Sequence, residues 1–191
     1  GEARATSLSS LSGPNAAVSV AAPGESHFLE GVFSGYRIRG VFFTNYWVLD
    51  NGENMLLVDQ HAAHERVLYE ELKAAYKKDT IPVQGLLIPL QIRFSPDRMD
   101  QLVEHIEGLA AFGFRIEAFG PEAYAVQAVP ALMKEPDTVV IEEILDILSH
   151  SSSREADQAT EKMLATIACR SAIKQGDTVS SGRISGILNK L

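Results

Sequence analysis

The run MLLVDQHAAHERVLYEEL, residues 55–72, narrows the possible folds more than any other part of the chain. Met55 to Val58 is apolar throughout, which predicts a strand covered on both faces. From about Gln60 to Tyr76 the spacing turns helical, with Leu68 and Leu72 one turn apart and Glu65 on the same side. A strand that hands over to a helix at Asp59 leaves no room for a loop. The acid at the strand tip and the first helical turn then share one neighbourhood. His61 and Glu65 stand about 40° from one another around such a helix and point the same way.

Imidazole with carboxylate suits zinc or manganese, and carboxylates with water suit magnesium or manganese. A cation held by Asp59, His61 and Glu65 would lower the pKa of its water and yield a nucleophile for phosphodiester hydrolysis. Glu70 falls outside this group, about 140° around the helix from Glu65, and His64 lies about 100° from Glu65. The same residues admit a plainer account. An aspartate at a helix entry is a routine N-cap, acids in the first turn suit the helix dipole, and Glu65 can face water. An imidazole and a carboxylate at this spacing are weakly specific, and three ligands leave a zinc shell incomplete. Spacing leaves both accounts open.

Around this run the chain reads as α+β, with strands and helices mixed but not regularly alternating. Residues 1–26, rich in Ala, Ser and Gly, predict a flexible linker at the head of a domain that ends a longer protein. YRIRGVFFTNYWVLDNGENMLLVD predicts two strands around a tight hairpin turn, with Asn51-Gly52 supplying positive φ. IPVQGLLIPLQIRF is extended and interrupted by Pro82 and Pro89. A helix follows, with Ser95 at its N-cap, Pro96 in its first turn and Gly113 at its end. A second hairpin turns at Gly120-Pro121, a helix lies near 137–149, and SHSSSRE, 149–155, is a polar loop. A long helix runs from about Glu155 to Lys174 and stops at Gly176, and a last helix, capped by Ser180, spans Ser181 to Leu191.

With 191 residues and 46% hydrophobic composition the chain can bury a core as one domain or two small lobes. No apolar run reaches the roughly 20 residues that cross a bilayer, so the expectation is a soluble protein without membrane contact. The single cysteine, Cys169, fits a reducing compartment. A net charge of -8 argues against an autonomous duplex binder, because phosphate affinity is mostly electrostatic.

The stretch VDQHAAHERVLYEEL resembles the C-terminal domain of the MutL family of DNA mismatch repair proteins. It matches the subgroup whose endonuclease motif reads Asp-Gln-His-Ala, two residues, Glu, four residues, Glu. Here these are Asp59, Gln60, His61, Ala62, Glu65 and Glu70. ATIACRSAIKQGD resembles the family's Ala-Cys-Arg motif at Ala168, Cys169 and Arg170, whose helix is implied to bring the cysteine to the metal helix. By residue type alone, Cys169 is more often a small buried hydrophobe, and Arg170 and Lys174 are either phosphate contacts or the cations of a helix end, the latter preferred for Lys174. QGLLIP, from Gln84 through Leu87, Ile88 and Pro89, resembles the family's sliding-clamp motif, and its alternation also fits an ordinary buried strand.

The resemblance covers about 27–191 and implies a homodimer with a two-subdomain fold. Segments 27–82 and 154–191 would form a dimerisation and endonuclease subdomain with a mixed sheet, and 83–153 an inserted regulatory lobe. Implied cofactors are Zn2+ or Mn2+, with Mg2+ as a substitute, and ATP only in an N-terminal region outside these residues. Implied partners are DNA, the sliding clamp and the mismatch-recognition protein MutS, in a bacterial, nucleoid-associated cytoplasmic setting. Two departures stand out. The family's Cys-Pro-His-Gly-Arg-Pro segment is missing before the chain stops at GILNKL, which implies truncation and a weak or inactive fragment. Arg183 stands where the family often has Glu, and reads as surface drift. A noncatalytic dimerisation and adaptor module is the rival expectation, and a small-molecule metalloenzyme a more distant one. His27, His105 and His150 read as incidental.

Overall fold

The computed structural model describes residues 19–20, 29–43, 45–120, 123–151, 156–174, 177 and 179–191. Its first sheet contains β1 (Ser19–Val20), β2 (Arg37–Phe42), β3 (Tyr46–Asp50) and β4 (Met55–Asp59) in that order, every neighbouring pair antiparallel. Three strands, not two, fill the stretch from Arg37 to Asp59. The chain reverses after β2 with Phe43 at a φ of 50° and Asn45 N–H donating to the Phe42 carbonyl at 3.3 Å. Neither glycine nor proline marks that turn, so sequence punctuation could not find it. The next turn was legible. Only Gly52 takes a positive φ, 90°, while the Asn51 side chain closes the loop by accepting from the Glu53 and Asn54 amides at 3.0 and 2.8 Å. The backbone of Ser19–Val20, inside the expected linker, pairs with Val41 and Gly40. The rest of residues 1–26 lies outside the described residues.

The pleat explains a second difference. Trp47 and Leu49, both fully buried, share a face with their partners Val58 and Leu56. Met55 and Leu57 point the other way and are 67% and 54% exposed, so β4 is covered on one face only in the single chain. α5 (Ser181–Leu188) belongs to the same unit and buries Ile184, Ile187 and Leu188. Ser180 caps it as expected, its hydroxyl accepting from the Arg183 amide at 3.4 Å, and the helix ends before the predicted Leu191.

The second sheet has the order β5-β7-β6, from β5 (Val83–Ile92), β6 (Arg115–Ala118) and β7 (Tyr124–Pro130), again antiparallel, so neither sheet is mixed. Its apolar residues Ile92, Ile116, Val126 and Val129 join one core with side chains from four helices: α1 (Gln60–Lys77), α2 (Pro96–Ala110), α3 (Val139–Ser149) and α4 (Ala156–Ser171). Ser95 stands at the α2 N-cap but makes no side-chain capping bond. Gly113 has a φ of 89°, and a Cβ there would meet Ile81 at 3.0 Å, so this position suits glycine alone. α4 stops three residues before the expected Lys174, and the expected boundary residues Pro121, Glu155 and Gly176, with most of the 149–155 loop, lie outside the described residues.

The described residues up to Ala63, with those from Lys174 onward, form one compact unit, and His64–Ile173 form the other. These limits differ from the expected cuts at 82/83 and 153/154, because Leu72 of α1 and Met163, Leu164 and Ile167 of α4 share the core of the second sheet. The boundary falls inside the first turn of α1, so residues 61 to 65 remain one continuous turn of helix. Among the described residues no helix is long and apolar enough to cross a membrane.

Candidate metal centre

α1 begins directly after β4, and two hydrogen bonds fix the handover. The Gln60 amide donates to the Asn45 carbonyl at 2.9 Å, and Asp59 Oδ1 accepts from the Ala62 amide at 3.0 Å. The second bond is an N-cap, satisfying one of the donors that a helix start leaves unpaired. The bland account of Asp59 is therefore realised at one of its oxygens. Gln60 is buried, and Ala62 is exposed and contributes its backbone.

With the helix started there, His61 and Glu65 follow one turn apart. α4 supplies the third group. Ala168 is fully buried with Leu68 of α1 and Ala172, and a methyl side chain permits close packing of the two helices. The next residue, Cys169, is exposed. One ligand atom each of His61, Glu65 and Cys169 lies within 4.8 Å of the others. Asp59 is not in this three-residue group. Glu70 turns aside as the helical angle requires and pairs with Arg66 at 2.8 Å.

Nitrogen, carboxylate oxygen and sulfur form a donor set that zinc accepts. A tetrahedral ion with bonds of about 2.0–2.3 Å spaces its ligand atoms about 3.5 Å apart. Side-chain rotation can supply the small contraction this demands. Partial desolvation beside the helices pushes the Cys169 thiol above its ordinary pKa although the residue is exposed, and the nearby Glu65 carboxylate pushes it further, against a smaller opposing effect of Arg170. Arg170 is engaged elsewhere. Its Nε donates to Glu143 at 3.0 Å and its Nη2 to the other oxygen of the same carboxylate, which raises the guanidinium pKa. That pairing with α3 stands where a phosphate contact was one expectation.

The clamp-like segment lies on β5, in the same unit as Glu65 and Cys169. The Gln84 side chain donates to the Met133 carbonyl. The β5–β7 register is irregular between Gly85 and Leu90, and there Leu87 is 100% and Ile88 78% exposed, with Pro89 partly buried. The buried-strand alternative fails for Leu87 and Ile88. Leu86 and Leu90, on either side, pack on the core.

One residue was undervalued. His64, set aside as a ligand because of its angle to Glu65, is buried, and its Nδ1 accepts the Ile173 amide at 3.0 Å. A signal existed: His64 precedes Leu68 and Leu72 at intervals of four and so sits on the buried stripe of α1.

A family model described as the MutL C terminal dimerisation domain matches residues 39–179, well over half of the chain. This chain belongs to that family. Relatives described as DNA mismatch repair protein MutL agree with the assignment. The one from Azorhizobium caulinodans is 37% identical over 157 residues, covering 80% of this chain and 25% of its own length. That from Citrifermentans bemidjiense is 35% identical over 175 residues, 90% of this chain and 27% of its own length. That from Thiobacillus denitrificans is 33% identical over 148 residues, 76% of this chain and 25% of its own length. The chain thus spans about a quarter of the length of the curated relatives it matches.

Proposed function

We propose that this chain is the dimerising, metal-binding end of a bacterial MutL protein that nicks DNA during mismatch repair. One observation carries the reading: imidazole, carboxylate and thiol from α1 and α4 group within 4.8 Å. His61, Glu65 and Cys169 would hold Zn2+ or Mn2+, with Mg2+ as a harder substitute. Bound there, the cation supplies Lewis acidity where charge develops on a phosphodiester. Asp59 caps the start of α1 through one carboxylate oxygen, and in this reading the other oxygen would add a ligand to the ion. Cys169 reaches the ion only by losing a proton that its surroundings favour.

The net charge of -8 is compatible with nicking if DNA is held by other parts of the full protein, including an ATP-binding region, and by a sliding clamp. Leu87 and Ile88, exposed on a proline-stiffened strand, are the clamp contact in this reading. A second copy of the chain would cover the open face of the first sheet, where Phe42, Tyr46, Met55 and Leu57 are exposed. MutS would recruit the whole assembly to a mismatch.

The test is a supercoiled-plasmid assay with Mn2+, comparing the full-length protein with its Glu65→Gln and Asp59→Asn variants. Nicking should fall at least about 100-fold in Glu65→Gln. Equal nicking by wild type and Asp59→Asn would remove the Asp59 charge from the mechanism and leave it as a cap. The adaptor reading draws support from that cap, since Asp59 already has a structural task. It prevails if wild type nicks no better than Glu65→Gln.

A further inference from the structure

We propose that His64 is a positioning residue of the metal cluster, latching the first turn of α1 to the chain just past α4 so that Glu65 and Cys169 stay in register. This rests on the metal-binding reading. His64 immediately precedes Glu65, and Ile173, whose amide it accepts at 3.0 Å, lies four residues beyond Cys169. Both partners are buried, at 8% and 3% exposure. α4 has ended at Ser171, so the Ile173 amide lies beyond the regular helix and finds its acceptor in the imidazole.

The other contacts between these helices define closeness better than register. Leu68 against Ala168 and Ala172 is an apolar contact, and such contacts are non-directional. The Lys73–Glu161 ion pair joins α1 to α4 near the far end of the cluster's helices, but Glu161 is largely exposed and its attraction is screened by salt. The His64 bond is buried and directional, because a lone pair on Nδ1 must meet one N–H. A slip of one residue along a helix moves a side chain by about 1.5 Å and swings it about 100°. That displacement is enough to separate two ligands of one ion.

The probe is Co2+ titrated into the full chain, read by the thiolate-to-cobalt charge-transfer band that reports Cys169. His64→Leu keeps the apolar bulk and removes the acceptor, whereas His64→Asn sets an oxygen close to the position of Nδ1. His64→Leu should weaken cobalt binding about 10- to 100-fold, the range for groups that orient metal ligands, and His64→Asn should restore most of it. Wild-type affinity and an unchanged band in His64→Leu, alongside loss of the band in Cys169→Ser, would overturn the latch and leave the metal site standing. No thiolate band in the wild type would overturn the metal reading and the latch with it. Should His64→Leu fail to fold, His64→Gln replaces it, with its polar atoms placed near Nε2 instead. Equal cobalt affinity in the Gln, Asn and wild-type proteins would then overturn the proposal, and weakening in Gln alone would support it.

Discussion

The two sheets make different use of the same strand chemistry. In the second, Ile92, Ile116, Val126 and Val129 are buried in a core completed by four helices. In the first, Trp47 and Leu49 are buried on one face while Met55 and Leu57 stand exposed on the other. The lesson is that the second unit carries its own hydrophobic stabilisation within one chain. The first leaves apolar surface that only another surface can remove from water. Exposed apolar groups in the second unit are scattered by contrast, at Val83, Leu87 and Ile88 of β5 and singly at Val103, Phe119 and Val139.

The sharpest break of this comparison is in the core of the second unit. Leu164→Ala, at a site 1% exposed, should cost about 2–5 kcal/mol in urea unfolding. A change near zero would mean that this core is not cooperative. On the open face, Leu57→Asp should raise the dimer dissociation constant on the order of 100-fold, about 2.8 kcal/mol, in sedimentation experiments. The melting temperature of the isolated monomer should hardly move. If dissociation is unchanged, a second copy docks elsewhere.

The α1 start separates cap from charge. Asp59→Ala should lose about 1 kcal/mol of stability, whereas Asp59→Asn should lose only a few tenths, because asparagine caps as well as aspartate. Equal losses would show that the carboxylate charge, not the hydrogen bond, stabilises the helix. For Cys169 the sign follows from its raised pKa. Without a cation the thiol is protonated through neutral pH, so binding must release that proton. Zinc affinity in competition titrations should therefore rise by up to about tenfold from pH 7 to pH 8. A flat profile would exclude Cys169 as a ligand. The smallest effect on the fold belongs to Leu87→Ala with Ile88→Ala, within about 0.5 kcal/mol per site on stability because both side chains face water. If the proposed clamp contact holds, the same variant should lose clamp stimulation in the full-length protein's plasmid assay and keep its dimer in sedimentation.

Legibility followed the range of the interaction. The α1 start, its orientation of His61 and Glu65, and the divergence of Glu70 were readable because helix angles are set within a few residues. The DNGEN turn was readable too, although Asn51 closes it with its side chain instead of a positive φ. The turn at Phe43 was not, since the positive φ falls on an aromatic residue and Asn45 lacks the neighbouring glycine that marks the DNGEN turn. The exposure of Leu87 was equally hidden, because QGLLIP alternates like a buried strand and only the lapse in pairing with β7 turns it outward.

By itself, then, the sequence determined that a strand passes into a helix at Asp59 and that an imidazole and a carboxylate leave that helix on one side. Steric and hydrogen-bonding rules acting over one turn suffice for that. Tertiary structure alone decided that Cys169 joins them, that His64 turns inward to the Ile173 amide, and that β4 keeps one bare face. Those outcomes depend on which distant apolar surfaces bury one another. That is a sum over the whole chain, which no short stretch encodes.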